Sequence, residues 1–307
     1  MYVGALSLSA LIGFATYSLT GFPDRFSGEV ADALKAHDFR FPWQECLLAE
    51  EELPPSKLCQ SSKKYRPSVA VIGDSHAVHY YSGIATYLSS HRIGAVLIPH
   101  SGCSSLPGMD KALLDKKPFI TCGDLTEKLI QYVQDDDEIK TVIIASRFAM
   151  WIEGRLFGRE RRMLLEVHSD RYSDARSNVE FVASSLDNIV YRFIKLGKHV
   201  VILSQVPEMN VDAPKCYARG LENCDIAEQD VLLRQNRLRH ILDAISCRHP
   251  EVCVFDPLPH FCSDGICKSK IGGKIMYLDN NHLNLDGSHY ISQFFNFERC
   301  LQPSDQK

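Results

Sequence analysis

The hydrophobic pattern divides the chain into three parts. Residues 1–23, "MYVGALSLSALIGFATYSLTGFP", hold no charged residue and are long enough for a membrane span, which takes about 20 apolar residues. One transmembrane helix is predicted there, and a connector over 24–66 follows. That connector carries Pro42, Pro54 and Pro55, the acidic run "AEEEL" and the polar run "SSKKYR", with a short helix fitting "GEVADALKAH". From 67 to 301 short β-branched runs alternate with longer amphipathic ones.

The short runs are "SVAVIG" (68–73), "GAVLIP" (94–99), "TVIIAS" (141–146), "HVVILSQ" (199–205) and "VCVFDP" (252–257). Each is continuously apolar, as strands buried on both faces of a parallel sheet are. Between them, 76–90, 124–134, 178–196 and 226–246 read as helices; the last repeats apolar residues at three- and four-residue steps. The alternation predicts an α/β fold, a three-layer α/β/α sandwich with a mostly parallel sheet. Reactive groups in such sheets collect beyond the carboxyl ends of the strands.

Composition changes this picture in two places. A formal net charge of -4 is mild and gives no support for nucleic-acid binding, and no Walker-type glycine loop or paired CxxC is present. The eleven cysteines fall largely into sequence-near pairs: Cys46–Cys59, Cys103–Cys122, Cys216–Cys224, Cys247–Cys253 and Cys262–Cys267, with Cys300 left over. Such pairs suit small disulfide-closed loops in an oxidising compartment, each worth ~2–4 kcal/mol. Buried reduced thiols are the competing reading. The spacings do not match zinc fingers or ribbons, so no metal site is expected. Disulfides place the bulk of the chain outside the cytoplasm. No basic region precedes the apolar N-terminus, which favours an anchor, or the last helix of a larger membrane protein, over a cleaved signal.

Two motifs carry candidate chemistry. The first strand runs into Gly73-Asp74-Ser75-His76 at the start of a helix. Ser and Asp are also favoured helix caps, so the tripeptide alone is ambiguous. Near the C-terminus, "YLDNNHLNLDGSHYISQFF" sets Asp279 and His282 three residues apart. A serine hydroxyl needs a base to take its proton, and an imidazole needs an acceptor that fixes its tautomer. A D-x-x-H pair supplies base and acceptor from one loop, although a turn-capping Asp would look the same.

Together the motifs resemble the SGNH (GDSL-like) hydrolase superfamily over residues 68–300. The resemblance implies Ser75 as nucleophile, His282 as general base and then acid, Asp279 as the orienting carboxylate, and a structural Asp74. It places oxyanion donors at the backbone N–H of Ser75 and at Gly102 in "PHSGCSSLPG". Where the family carries Gly-x-Asn after the third strand, this chain reads "IIASRFAMW", leaving Arg147 or Ser146 as substitutes. His76 and His79 are expected on the helix face rather than as the base.

That departure, with "GFPDRF", G-D-S-H, "GCSSLPG" and "DNNHLNLDGS", is similar to one subgroup: the extracytoplasmic C-terminal SGNH domain of bacterial acyltransferase family 3 (AT3) proteins. There an integral-membrane acyltransferase domain precedes the SGNH domain. The resemblance implies O-acylation, chiefly O-acetylation, of a cell-surface glycan such as lipopolysaccharide O-antigen. The acyl group would derive from acetyl-CoA and arrive through an AT3 membrane domain or partner, with no cofactor bound in the SGNH domain. It also implies an inner-membrane location with this domain in the periplasm. A carbohydrate esterase with the same triad and a non-catalytic glycan-binding module are the alternatives. The Arg-rich segment 155–177 reads either as a lid or as a solvated insertion.

Overall fold

The computed structural model describes residues 2–18, 28–37, 59–100, 102–158, 164–169, 177–296 and 300. The chain opens with α1 (Tyr2–Ser18), whose Leu8, Leu11, Ile12 and Phe14 are exposed. At 1.5 Å per residue its 17 residues reach about 26 Å, short of a ~30 Å hydrocarbon core. Among the described residues no helix is long and apolar enough to cross a membrane, so the span expected over 1–23 is not established. In the connector, α2 (Glu29–His37) falls where the short helix was predicted and packs on the later domain through buried Ala33.

The central sheet begins with the short β1 (Cys59–Gln60), β2 (Pro67–Gly73) and β3 (Gly94–Pro99). A peripheral hairpin, β4 (Lys111–Leu114) and β5 (Lys117–Thr121), precedes β6 (Thr141–Ala145). Peripheral β7 (Leu165–His168) precedes β8 (His199–Leu203), and the two-residue β9 (Ile226–Ala227) precedes β10 (Cys253–Phe255). The sheet order is β1-β3-β2-β6-β8-β10, parallel throughout except for β1, which runs antiparallel to β3. All five predicted strands are present.

Helices alternate with these strands: α3 (Ser75–Ser90), α4 (Gly123–Asp135), the short α5 (Phe148–Glu153), α6 (Asn178–Lys195), α7 (Ala213–Ala218), α8 (Glu228–Arg248), α9 (Leu258–Phe261) and α10 (Leu285–Ser292). The two-residue strand period sends Val69, Val71, Leu97 and Leu203 to one face, against Tyr81, Ile84 and Leu88 of α3 and Ile291 of α10. Ala70, Ile72, Val96 and Ile202 face the other way, onto Ile130 of α4, Leu186 and Phe193 of α6, and Leu242 of α8. Two apolar cores flanking one sheet make the α/β/α sandwich. Close approach of α10 to α3 depends on Gly83, where a Cβ would lie 2.2 Å from the carbonyl oxygen of Ser288.

Three expected disulfides form: Cys103–Cys122, Cys216–Cys224 and Cys262–Cys267. The expected Cys247–Cys253 bridge does not. Cys253 lies on β10 and pairs with Cys300, while Cys247, in the last turn of α8, is an exposed free thiol. Sequence proximity misled here because the α8–β10 connection directs the two residues to different surroundings. Cys59 is disulfide-bonded, but the pairing with Cys46 lies outside the described residues. Part of the Arg-rich segment is β7, which joins β4 in a three-stranded peripheral sheet; Arg161 and Arg162 lie outside the described residues.

Candidate active site

The turn after β2 is shaped by Gly73 and Asp74. Gly73 has φ +153°, and a Cβ there would fall 1.7 Å from the carbonyl oxygen of Ala145 on neighbouring β6. Asp74 caps α3: its Oδ1 accepts from the His76 N–H at 2.8 Å. Its Oδ2 accepts from the Arg147 N–H at 2.9 Å, tying the turns after β2 and β6 together. Burial raises the Asp74 pKa, opposed by those two N–H donors and by the nearby His282 charge. Asp74 is thus a structural carboxylate, as the resemblance implied. Ser75 follows as the first residue of α3, so its N–H has no intrahelical acceptor and sits at the positive end of the helix.

The second half of the site is the loop between Tyr277 and Leu283, which pair across it. Asp279 Oδ1 accepts from the N–H of Asn281 at 2.7 Å and of His282 at 2.8 Å, a local turn that fixes the loop. Its Oδ2 lies 2.7 Å from His282 Nδ1. His282 Nε2 in turn lies 2.7 Å from Ser75 Oγ. With the Asp279 carboxylate accepting at Nδ1, that nitrogen carries the hydrogen, and Nε2 is left to accept the serine O–H. Burial pushes Asp279 up, but the bond and charge of His282, with the two loop N–H groups, outweigh it and hold the carboxyl well below its ordinary range. An ionised carboxylate, an imidazole and a hydroxyl therefore stand in series, 207 residues of chain separating the last two.

The oxyanion candidates fare differently. Gly102 lies in the turn after β3, beyond the same carboxyl edge as Ser75, with φ +74°. Arg147 is committed elsewhere. Its N–H serves Asp74, its Nε donates to Glu208 Oε1 at 2.7 Å, and its Nη2 lies 2.6 Å from the same oxygen. Ser146 is buried, and its Oγ has no partner among the described residues.

Sequence reading missed the group that holds Arg147. Glu208 is fully buried in the segment after β8 and also accepts from Arg234 Nε of α8 at 2.7 Å. Burial raises its pKa, but the two guanidinium groups prevail and hold it at about 2. The available signal was an acid in the apolar stretch "VPEM" just beyond a strand's carboxyl end. His76 and His79 do lie on one face of α3, as expected, but that face is covered, and both are fully buried beside His282.

With this geometry in hand, known proteins offer comparison. The periplasmic domain of a lipopolysaccharide acetyltransferase from Salmonella ser. Paratyphi A matches with a TM-score of 0.58 at 13% identity, covering 89% of this chain and 97% of that one. That is a likeness of fold. A GDSL-like lipase from Bacteroides thetaiotaomicron VPI-5482 aligns with a TM-score of 0.38 at 8% identity, covering 73% of this chain and 82% of that one. No curated protein sequence matches the chain. Residues 45–297 match the family described as "SGNH domain (fused to AT3 domains)", which takes in both the Ser75 turn and the 279–282 loop. The match spans most of the sequence, and the chain belongs to that family.

Proposed function

We propose that this chain is a glycan O-acyltransferase that works through a serine acyl-enzyme. The observation that carries the reading is the unbroken Asp279–His282–Ser75 series, with 2.7 Å at each link. Ser75 Oγ attacks the donor's acyl carbonyl while His282 Nε2 takes the hydroxyl proton. Asp279 stays ionised and stabilises the imidazolium. The N–H groups of Ser75 and Gly102 receive the oxyanion, and collapse expels the donor's leaving group, which takes the proton from His282. A sugar hydroxyl then gives its proton to His282 and attacks the acyl-serine; as the bond to Ser75 Oγ breaks, that oxygen takes the proton from His282, and the sugar leaves as the ester.

Family membership supports the rest of the reading. The acyl group originates in acetyl-CoA and is delivered by an AT3 membrane domain or partner protein. The acceptor is a cell-surface glycan of the lipopolysaccharide O-antigen kind, and the domain works on the periplasmic side of the inner membrane. The test is mass spectrometry of surface glycan from cells carrying wild type or Ser75→Ala. Loss of one acyl ester in the variant supports transfer. Gain of one points to an esterase, and an unchanged glycan points to a non-catalytic module.

A further inference from the structure

Residues Asn281 and Leu283 flank the base on either side, and each is held by a different buried histidine of α3. His76 Nε2 lies 3.0 Å from Asn281 Oδ1. The Leu283 N–H points to His79 Nδ1 at 3.3 Å. Both rings are fully buried, and their centroids are 4.5 Å apart. His76 lies 5.1 Å from the His282 ring and His79 6.1 Å. The first two turns of α3 thus contact three consecutive loop residues: Ser75 to His282, His76 to Asn281, His79 to Leu283.

The bonds define each ring's proton. Asn281 Nδ2 donates to Asn280 Oδ1 at 2.7 Å, which turns Asn281 Oδ1 toward His76 as an acceptor. His76 therefore carries its hydrogen on Nε2. His79 accepts at Nδ1, so its hydrogen is on Nε2. His76 Nδ1 and His79 Nε2 are both buried with no partner among the described residues. Each such atom gives up its bonds to water and gains none in return, so a purely space-filling role would be better served by apolar side chains. What repays the arrangement is the bond each ring makes with its other nitrogen. Burial foremost, then the neighbouring imidazole charges, lowers both pKa values well below the usual histidine value.

We infer that His76 and His79 are positioning residues: two neutral imidazoles that clamp the peptide on both sides of His282 and set the base against the nucleophile. The inference rests on the catalytic reading of Ser75 and His282, and it gives the G-D-S-H histidine a role of its own. Asp279 orients the His282 ring from within the loop, whereas the two α3 histidines register the whole loop against the helix that carries Ser75.

The test compares His76→Ala, His76→Gln, His79→Ala and His79→Asn in the full chain, with Ser75→Ala alongside. Gln places an amide nitrogen where His Nε2 stands, and Asn places an oxygen where Nδ1 stands, so these two variants keep the bond and discard the ring. Amide hydrogen exchange of the peptide covering 279–283 reads the clamp without needing turnover. Hydrolysis of p-nitrophenyl acetate reads its consequence. The alanine variants should exchange faster in that peptide and lose on the order of 10²-fold in kcat with KM nearly unchanged, as a misplaced catalytic group does. The Gln and Asn variants should recover most of both. Exchange in the alanine variants equal to wild type overturns the clamp, as does failure of Gln and Asn to rescue. Ser75→Ala should keep wild-type exchange and lose hydrolysis; hydrolysis surviving in it overturns the catalytic reading while exchange still judges the clamp.

Discussion

Replacing Glu208 with Gln removes one buried negative charge from between two guanidinium groups. In the wild type, Glu208 Oε1 holds Arg147 at 2.6 Å and Oε2 holds Arg234 at 2.7 Å, with the carboxylate fully buried. Taking one partner from a buried ionic cluster costs about 3–5 kcal/mol, because the remaining charge is left uncompensated. The titration of Glu208 leads to a similar figure. Its pKa falls from 4.5 to about 2 on folding, and at about 1.4 kcal/mol per pH unit this corresponds to about 3 kcal/mol. Because the folded pKa is the lower one, the contribution is complete above 4.5 and is lost as pH falls toward 2. The stability gap between wild type and Glu208→Gln should therefore be full at pH 7 and narrow steadily below 4.5. Urea unfolding followed by the fluorescence of buried Trp151, with disulfides intact, measures the gap at each pH. At about 2–4 °C per kcal/mol, the thermal midpoint at pH 7 should fall by about 10 °C. A gap under about 1 kcal/mol at pH 7, or one that persists unchanged at pH 3, refutes the reasoning.

Other predictions address the site and its frame. Asp279→Asn should fold and lose on the order of 10⁴ in kcat, since the amide cannot hold the imidazole in the accepting tautomer; steady-state hydrolysis of p-nitrophenyl acetate checks this, and a loss under tenfold contradicts it. Gly73→Ala places a methyl group 1.7 Å from the Ala145 carbonyl oxygen, so the β2–β6 contact must open. Its thermal midpoint should drop and hydrolysis should fall with it, whereas wild-type values for both would mean the turn has room that the structure denies. Alkylation of the unreduced native protein should label Cys247, and a non-reduced peptide map should link Cys253 to Cys300. A Cys247–Cys253 linked peptide would contradict the disulfide pattern.

The frame of the molecule was readable because parallel strands covered on both sides carry unbroken apolar runs. "GAVLIP" became Gly94–Pro99 without a shift in either end. The long α8 announced itself by its three- and four-residue apolar repeat, and the Ser75, Asp279 and His282 cluster by motif and order. What stayed hidden depends on partners remote in sequence. Arg147 and Glu208 lie 61 residues apart, and no local pattern says that the one neutralises the other. Likewise, the three-residue spacing of His76 and His79 shows that they share a helix face. That the face is sealed follows only from the return of the 279–283 loop more than 200 residues later. The β4–β5 hairpin turns on Asp115 and Lys116, both left-handed, without the glycine that usually marks such a turn. Cys253 and Cys300 pair over 47 residues, past the nearer Cys247.

The central claim is that Ser75 Oγ is the atom that carries the acyl group. Peptide mass spectrometry after brief, acid-quenched exposure of the full chain to p-nitrophenyl acetate tests it most directly. The account predicts an acetyl group on Ser75 in the wild type and none at that position in His282→Ala. Turnover with the label on a different residue, or labelling of Ser75 that is indifferent to His282, would contradict it.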